Sequence, residues 1–202
     1  HLVGSDLTEI TGFDAEPLAS VVHLAALGSV PRSVADPSAT HAANSTGTLM
    51  VLEAARTLGG IHTIVASSSS VYGRNPTLPK VETLLTQPVS PYAVSKLTTE
   101  AYTLAWQSTY NLPTLAFRFF NVFGPLQAAG HAYAAVIPSF VWSALRSEPV
   151  TVHGDGSQIR AWCYVDDMVD GVLCALEHPG AVGESFNIGN ARAVTTIYGL
   201  AE

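Results

Sequence analysis

Apolar runs of strand length recur along this chain, and most are followed by a longer stretch of helical periodicity. Residues 21–26, 61–66 and 114–120 are such runs, while 38–58 and 91–110 repeat their apolar positions at helical spacing. A strand that returns to its sheet through a helix lies parallel to its predecessor, and the helices then cover both faces. The expected fold class is therefore α/β, a doubly wound and mainly parallel sheet. Ligands of such sheets gather at the carboxyl ends of the strands, where the loop after Ala26, the serines from Ser67 to Ser70, and Asn121 fall.

Past Gly124-Pro125 the pattern loosens into a polar loop, then a helix is expected over 134–146, a short strand over 150–153 and its turn over 154–156. This stretch reads as a small second lobe. A strand at 163–165, a helix at 166–177 and a strand at 185–189 lead back to the first. The boundaries expected are 1–123, 124–160 and 161–202.

Composition excludes several classes. With 202 residues the chain is long enough for one sizeable core, or for a domain with a small companion. Hydrophobic residues make up 48% and charged residues only 12%, against about 25% charged in ordinary globular proteins, so disorder is not expected. The net charge of −7 comes with no basic patch, which argues against a nucleic-acid surface. No apolar run reaches the roughly 18 residues of a membrane span, and no leader pattern opens the chain, so a cytoplasmic protein is expected. Cys163, Cys174 and the seven histidines lack metal-ligand spacing; no metal is expected, and the cysteines read as buried thiols. The chain opens without methionine and closes at Ala201-Glu202 in the first turn of an expected helix, so it reads as a piece of a longer protein.

Tyr92 and Lys96 stand four residues apart in Ser90-Pro91-Tyr92-Ala93-Val94-Ser95-Lys96. Pro91 suits the first turn of a helix, so the two side chains are expected on one face, with Cβ atoms roughly 5–6 Å apart. Bringing a phenol from about 10 to about 7 takes roughly 4 kcal/mol of phenolate stabilisation. A cation roughly 6 Å away supplies about 2.8 kcal/mol at an effective dielectric of 20, and Lys96 is one such cation. The serines upstream, poor strand formers that add little to a core, read as a ligand-facing turn.

With these residues in view the chain resembles the extended short-chain dehydrogenase/reductase superfamily, and within it the nucleotide-sugar epimerases and dehydratases. The matching segments are HLAALGSVPRS (23–33), NSTGTLMVLEAAR (44–56), ASSSSVYG (66–73), SPYAVSK (90–96), FRFFNVFGP (117–125), YAAVIP (133–138), GDGSQIR (154–160), YVDD (164–167) and FNIG (186–189). Two of them, HLAALGSVPRS and YAAVIP, look most like UDP-N-acetylglucosamine 4-epimerases and related UDP-hexose epimerases. The resemblance implies a Rossmann-like sheet and NAD as cofactor. No Gly-x-x-Gly-x-x-Gly turn occurs, and Gly154-Asp155-Gly156 reads as a hairpin turn. The first strand, glycine turn and helix are therefore expected before His1, and residues 1–202 alone are expected to be inactive.

The resemblance also carries roles to positions. It implies Tyr92 as catalytic base, Lys96 as the residue that holds the nicotinamide ribose and lowers the tyrosine pKa, and Ser68 as the hydroxyl that meets the sugar 4-hydroxyl. Asp6 and Leu7 fall where the adenine is bracketed, and Leu24, Ala25, Ala26, Asn44 and Phe119 at further cofactor positions. Asn121, Ala135, Val136 and Arg160 fall at the nucleotide part of the sugar donor, and Gly28, Ser29 and Ser69 beside the sugar. Ser69 and Ser70 stand where the dehydratases carry an aspartate and a glutamate, which favours epimerisation over elimination, because a hydroxyl is no acid or base near neutrality. The implied activity is C4 epimerisation of a UDP-hexose or UDP-N-acetylhexosamine through a 4-keto sugar, by a protein that is a homodimer when complete. The alternatives are a nucleotide-sugar dehydratase, decarboxylase or reductase, or a non-catalytic protein of the same fold.

Overall fold

The computed structural model describes residues 18–129 and 134–202; the expected adenine contacts Asp6 and Leu7 lie outside them. In chain order the elements are β1 (Ser20–His23), α1 (Val30–Ala35), α2 (Pro37–His41), a π-helical turn (Ala42–Thr46), α3 (Gly47–Thr57) and β2 (His62–Ser68). There follow a 3-10 helix (Ser69–Tyr72), α4 (Pro91–Tyr110), β3 (Thr114–Phe119), β4 (Val122–Phe123), α5 (Val136–Leu145), β5 (Ile159–Ala161) and β6 (Cys163–Tyr164). The chain ends with α6 (Val165–Glu177), β7 (Ser185–Ile188), β8 (Val194–Thr196) and α7 (Ile197–Ala201).

The four-stranded sheet has the order β1-β2-β3-β7, and β1 runs parallel to β2 in the register Ser20↔His62 to His23↔Val65. This is the parallel α/β architecture that the strand–helix alternation predicts. The chain divides into two compact units, one made of His1–Arg118 with Val172–Asn187, the other of Phe119–Gly171 with Ile188–Glu202.

Local chemistry explains the helices of the first unit. The Ser90 hydroxyl accepts from the Ala93 N–H at 3.1 Å and Pro91 opens the first turn of α4. Asn111, left-handed at φ 55°, ends it. Leu52 and Ala55 on α3, Val65 on β2 and Leu112 form a buried cluster, with Ile61, Tyr102 and Trp106 packed against it. Burying an aliphatic side chain of leucine or valine size is worth roughly 1.5–3 kcal/mol, so this cluster fixes α3 and α4 on the sheet. Trp106 meets Tyr102 and Tyr110 edge-on at 5.5 and 5.3 Å between ring centroids, and its indole N–H donates to Glu53 at 2.7 Å.

In the second unit β4 pairs parallel with β6, and β5 antiparallel with β8. The strand expected at 150–153 does not form: strand propensity needs a partner's ladder, and the pairing partner β8 is taken by 159–161. The turn after it is present, with Gly154 and Gly156 at φ 72° and 69°. Cys163 is buried as expected but Cys174 is exposed on α6, so the apolar stretch around it covers only part of the helix surface. Among the described residues no helix is long and apolar enough to cross a membrane.

Candidate active site

Ser68 is the last residue of β2 and the N-cap of the 3-10 helix that carries Ser69 and Ser70. Its hydroxyl oxygen accepts from the Ser70 N–H at 3.2 Å and from the Ser70 hydroxyl at 2.9 Å. The helix then turns sharply at Gly73, whose φ of 48° brings the backbone so close to Gln87 that a Cβ would stand 1.8 Å from the Gln87 carbonyl oxygen. Only glycine fits there, so the last residue of ASSSSVYG shapes the turn and not the chemistry.

Tyr92 lies on the first turn of α4, with its phenol near the Ser68 hydroxyl. Lys96, one turn on, is buried, and its Nζ donates to the Ala66 carbonyl at 2.8 Å. Ser68, Tyr92 and Lys96 therefore converge at the carboxyl end of β2. Burial pushes the Tyr92 phenol above its ordinary value, opposed by the nearby Ser68 hydroxyl. Burial lowers Lys96 to about 8. The sequence-based expectation that Lys96 alone starts to lower the phenol thus meets a larger desolvation cost of the phenolate.

Leu24, Ala25 and Ala26 form an exposed coil directly after β1. Asn44, buried in the π-helical turn, braces that coil: its Oδ1 accepts from the Leu27 N–H at 2.7 Å, and its Nδ2 donates to the Leu27 carbonyl at 3.2 Å and the Ser95 hydroxyl at 2.9 Å. Among the described residues, a Cβ added at Gly28 meets no atom within 4 Å. Ser29, at φ 120°, caps α1 through its hydroxyl. His23, buried at the end of β1, lies 3.1 Å from the Thr48 hydroxyl; burial, helped by the charge of Lys96, lowers it to about 4.

In the second unit Asn121, Ala135, Val136 and Arg160 line one pocket of about 150 Å³, together with Phe123 and Trp162. The Asn121 amide donates to the Ala161 carbonyl at 2.9 Å, and Arg160 is exposed on β5. Phe119 closes β3. Four sequence-predicted nucleotide residues thus share one cavity.

Sequence reasoning missed the buried ion pair of Glu100 and Arg118, in contact at 2.5 and 2.9 Å. A signal existed: Arg118 interrupts an apolar strand, and a charge in such a place needs a buried partner. Ser67 is also turned inward, donating to Glu100 at 2.9 Å, and is no part of a ligand-facing turn. Among the described residues no group of three or more His, Cys, Asp and Glu side chains could hold a metal ion.

A parallel α/β sheet with Rossmann-like order defines the class of protein. The chain belongs to the NAD dependent epimerase/dehydratase family, which matches residues 1–189. It is 38% identical over 191 residues to a UDP-glucose 4-epimerase of Mycolicibacterium smegmatis, covering 93% of this chain and 60% of that one. It is 34% identical over 206 residues to a dTDP-glucose 4,6-dehydratase of Salmonella typhimurium, covering 91% and 55%. Among solved structures it resembles a UDP-N-acetylglucosamine 4-epimerase of Methanobrevibacter ruminantium in complex with UDP-N-acetylmuramic acid, with a TM-score of 0.86, 36% identity, and coverage of 98% of this chain and 62% of that one. The chain thus spans about 60% of the length of these relatives.

Proposed function

We propose that the complete protein epimerises C4 of a UDP-hexose or UDP-N-acetylhexosamine through a transient 4-keto sugar. The observation that carries this reading is the convergence of Ser68, Tyr92 and Lys96 at the carboxyl end of β2, with hydroxyls at 69 and 70 in place of carboxylates. NAD, when bound, supplies hydride acceptance and return. The donor set fits it: the buried Lys96 ammonium stands one helical turn from the Tyr92 phenol, and the coil of Leu24, Ala25 and Ala26 at the end of β1 is exposed.

Tyr92 takes the proton of the sugar 4-hydroxyl, and Ser68 orients that hydroxyl by hydrogen bonding. Lys96 offers a positive charge that favours the phenolate, with its position fixed by Ala66. Asn44 holds the 24–27 coil, which would line the cofactor. The first unit carries the chemistry; in the second, the pocket of Asn121, Ala135, Val136 and Arg160 holds the nucleotide, with Arg160 on the diphosphate through its bidentate fork. We further assign the complete protein as a cytoplasmic homodimer.

Elimination of water needs a carboxyl acid and a carboxylate base, and Ser70 is engaged with Ser68 instead. The test is nuclear magnetic resonance of the products formed by the complete protein with NAD and UDP-galactose or UDP-N-acetylglucosamine. The 4-epimer at unchanged mass supports the reading. A product lighter by one water, or no conversion, overturns it.

A further inference from the structure

Tyr92, Lys96 and Glu100 form one stripe along α4, each a turn from the next, and all three grip the end of β2. The Tyr92 phenol lies near the Ser68 hydroxyl, Lys96 donates to the Ala66 carbonyl, and Glu100 accepts from the Ser67 hydroxyl at 2.9 Å. The same Ser67 hydroxyl lies 3.4 Å from the Lys96 carbonyl oxygen. Glu100 is in turn clamped by Arg118 of β3, through Nε to Oε2 and Nη2 to Oε1. Both charged residues are almost fully buried, at 4% and 6% exposure, so neither is a solvated surface charge.

The clamp reaches further. Arg118 Nη1 donates to the Tyr72 hydroxyl at 2.9 Å and to the Glu82 carbonyl at 3.1 Å. The Tyr72 hydroxyl donates to Asn187 on β7 at 2.7 Å. Tyr72 closes the 3-10 helix that Ser68 caps, so the strand end bearing Ser68 is fixed from both sides.

We propose that Glu100, Arg118 and Ser67 form a positioning node for the proton transfer, setting the register between the strand that carries Ser68 and the helix that carries Tyr92. The proposal rests on the epimerase reading above for its reaction, though its geometry stands without it. None of the three needs to touch the sugar. A bidentate guanidinium–carboxylate pair suits this task because its planar fork admits one orientation, where a hydrophobic contact admits sliding. Hydroxyl and phenol in a proton transfer tolerate little displacement: a misplacement on the order of 1 Å costs about 100-fold.

The test uses the complete protein with bound NAD and three variants, Ser67→Ala, Ser67→Thr and Glu100→Gln. Each is read by kcat and KM for the nucleotide sugar, and by the ultraviolet titration of Tyr92, isolated by difference from Tyr92→Phe. Expected are a kcat lowered about ten- to hundredfold in Ser67→Ala and Glu100→Gln, a KM within about twofold, and a displaced Tyr92 titration. Threonine at 67 keeps the hydroxyl and is expected to restore kcat towards the parent value. Unchanged kcat and titration in Ser67→Ala, whatever its melting temperature, overturn the proposal. A Ser67→Ala protein that does not fold overturns it too, since the node is then a requirement of folding. Failure of Glu100→Gln to fold leaves the decision to the Ser67 pair. If the parent protein shows no epimerisation, the epimerase reading fails, and the titration of Tyr92 alone decides the positioning.

Discussion

Lys96 Nζ reaches 2.8 Å across to the carbonyl oxygen of Ala66, so the ammonium of α4 is tied to the backbone of β2 two residues before Ser68. The bond offsets part of the cost of burying the charge and fixes the cation one helical turn from Tyr92. Burial still lowers Lys96 to about 8 and raises Tyr92. In this chain burial thus works against ionising the phenol proposed as the base.

The first prediction concerns that base. In the complete protein Tyr92→Phe is expected to fold and to bind nucleotide sugar, because the ring stays and only the hydroxyl goes. Turnover is expected to fall by at least roughly 100-fold, the scale of losing a general base. Steady-state kinetics beside binding calorimetry checks it; near-normal kcat removes Tyr92 from the mechanism.

The second prediction is a pH dependence of stability set by His23. Burial first, and the Lys96 charge second, lower its pKa from 6.5 to about 4. Between these values the unfolded chain binds a proton that the folded chain refuses, so stability falls as pH drops from 6.5 towards 4. A shift of this size corresponds to roughly 3 kcal/mol at the acid end. His23→Gln keeps a group able to bond Thr48 and does not titrate, so its denaturant midpoint is expected to vary less across this window. Parallel curves for the two proteins would discard His23 as the cause.

How much of this was legible beforehand depends on how local the cause is. The start of α4 follows from Ser90-Pro91, neighbours whose capping chemistry is complete within four residues. The sheet follows from runs at 21–26, 61–66 and 114–120, because burial on both faces makes a strand continuously apolar. By contrast β2 runs on to Ser68, past the last apolar residue, because Ser67 has Glu100 as a buried partner from a distant helix. The π-helical turn around Asn44 is likewise held by Leu27 and Ser95, one before it and one far after. Pairings of that kind leave no period in the sequence. The pocket residues Asn121, Ala135, Val136 and Arg160 came from motif resemblance alone, since no spacing joins 121 to 160.

The third prediction concerns Arg160. On β5 it pairs in register with Thr195 and borders the pocket of Asn121 and Val136. Hydrogen bonds to a charged group are worth about 1.5–3 kcal/mol, so Arg160→Ala is expected to raise KM for the nucleotide sugar about ten- to hundredfold. Arg160→Lys should recover part of that, as a point charge without the fork. An unchanged KM would place the diphosphate elsewhere.

The last prediction concerns the sugar. Among the described residues no atom stands within 4 Å of where a Cβ at Gly28 would lie, and a loop with such room is expected to admit an N-acetyl group. Ser69, half-buried, begins the 3-10 helix immediately after Ser68, and its hydroxyl is expected to donate to that acetamide. The complete protein is therefore expected to accept UDP-N-acetylglucosamine or its galacto epimer at least as well as UDP-glucose. Removing one neutral hydrogen bond costs about 0.5–1.5 kcal/mol, so Ser69→Ala should shift the selectivity ratio roughly two- to tenfold against the acetylated sugar. Competition between the two donors in one reaction mixture measures kcat/KM directly. A tenfold or greater preference of the parent protein for the non-acetylated sugar would reject this substrate assignment and leave C4 epimerisation standing, because the roles proposed for Tyr92 and Ser68 concern the 4-hydroxyl common to both.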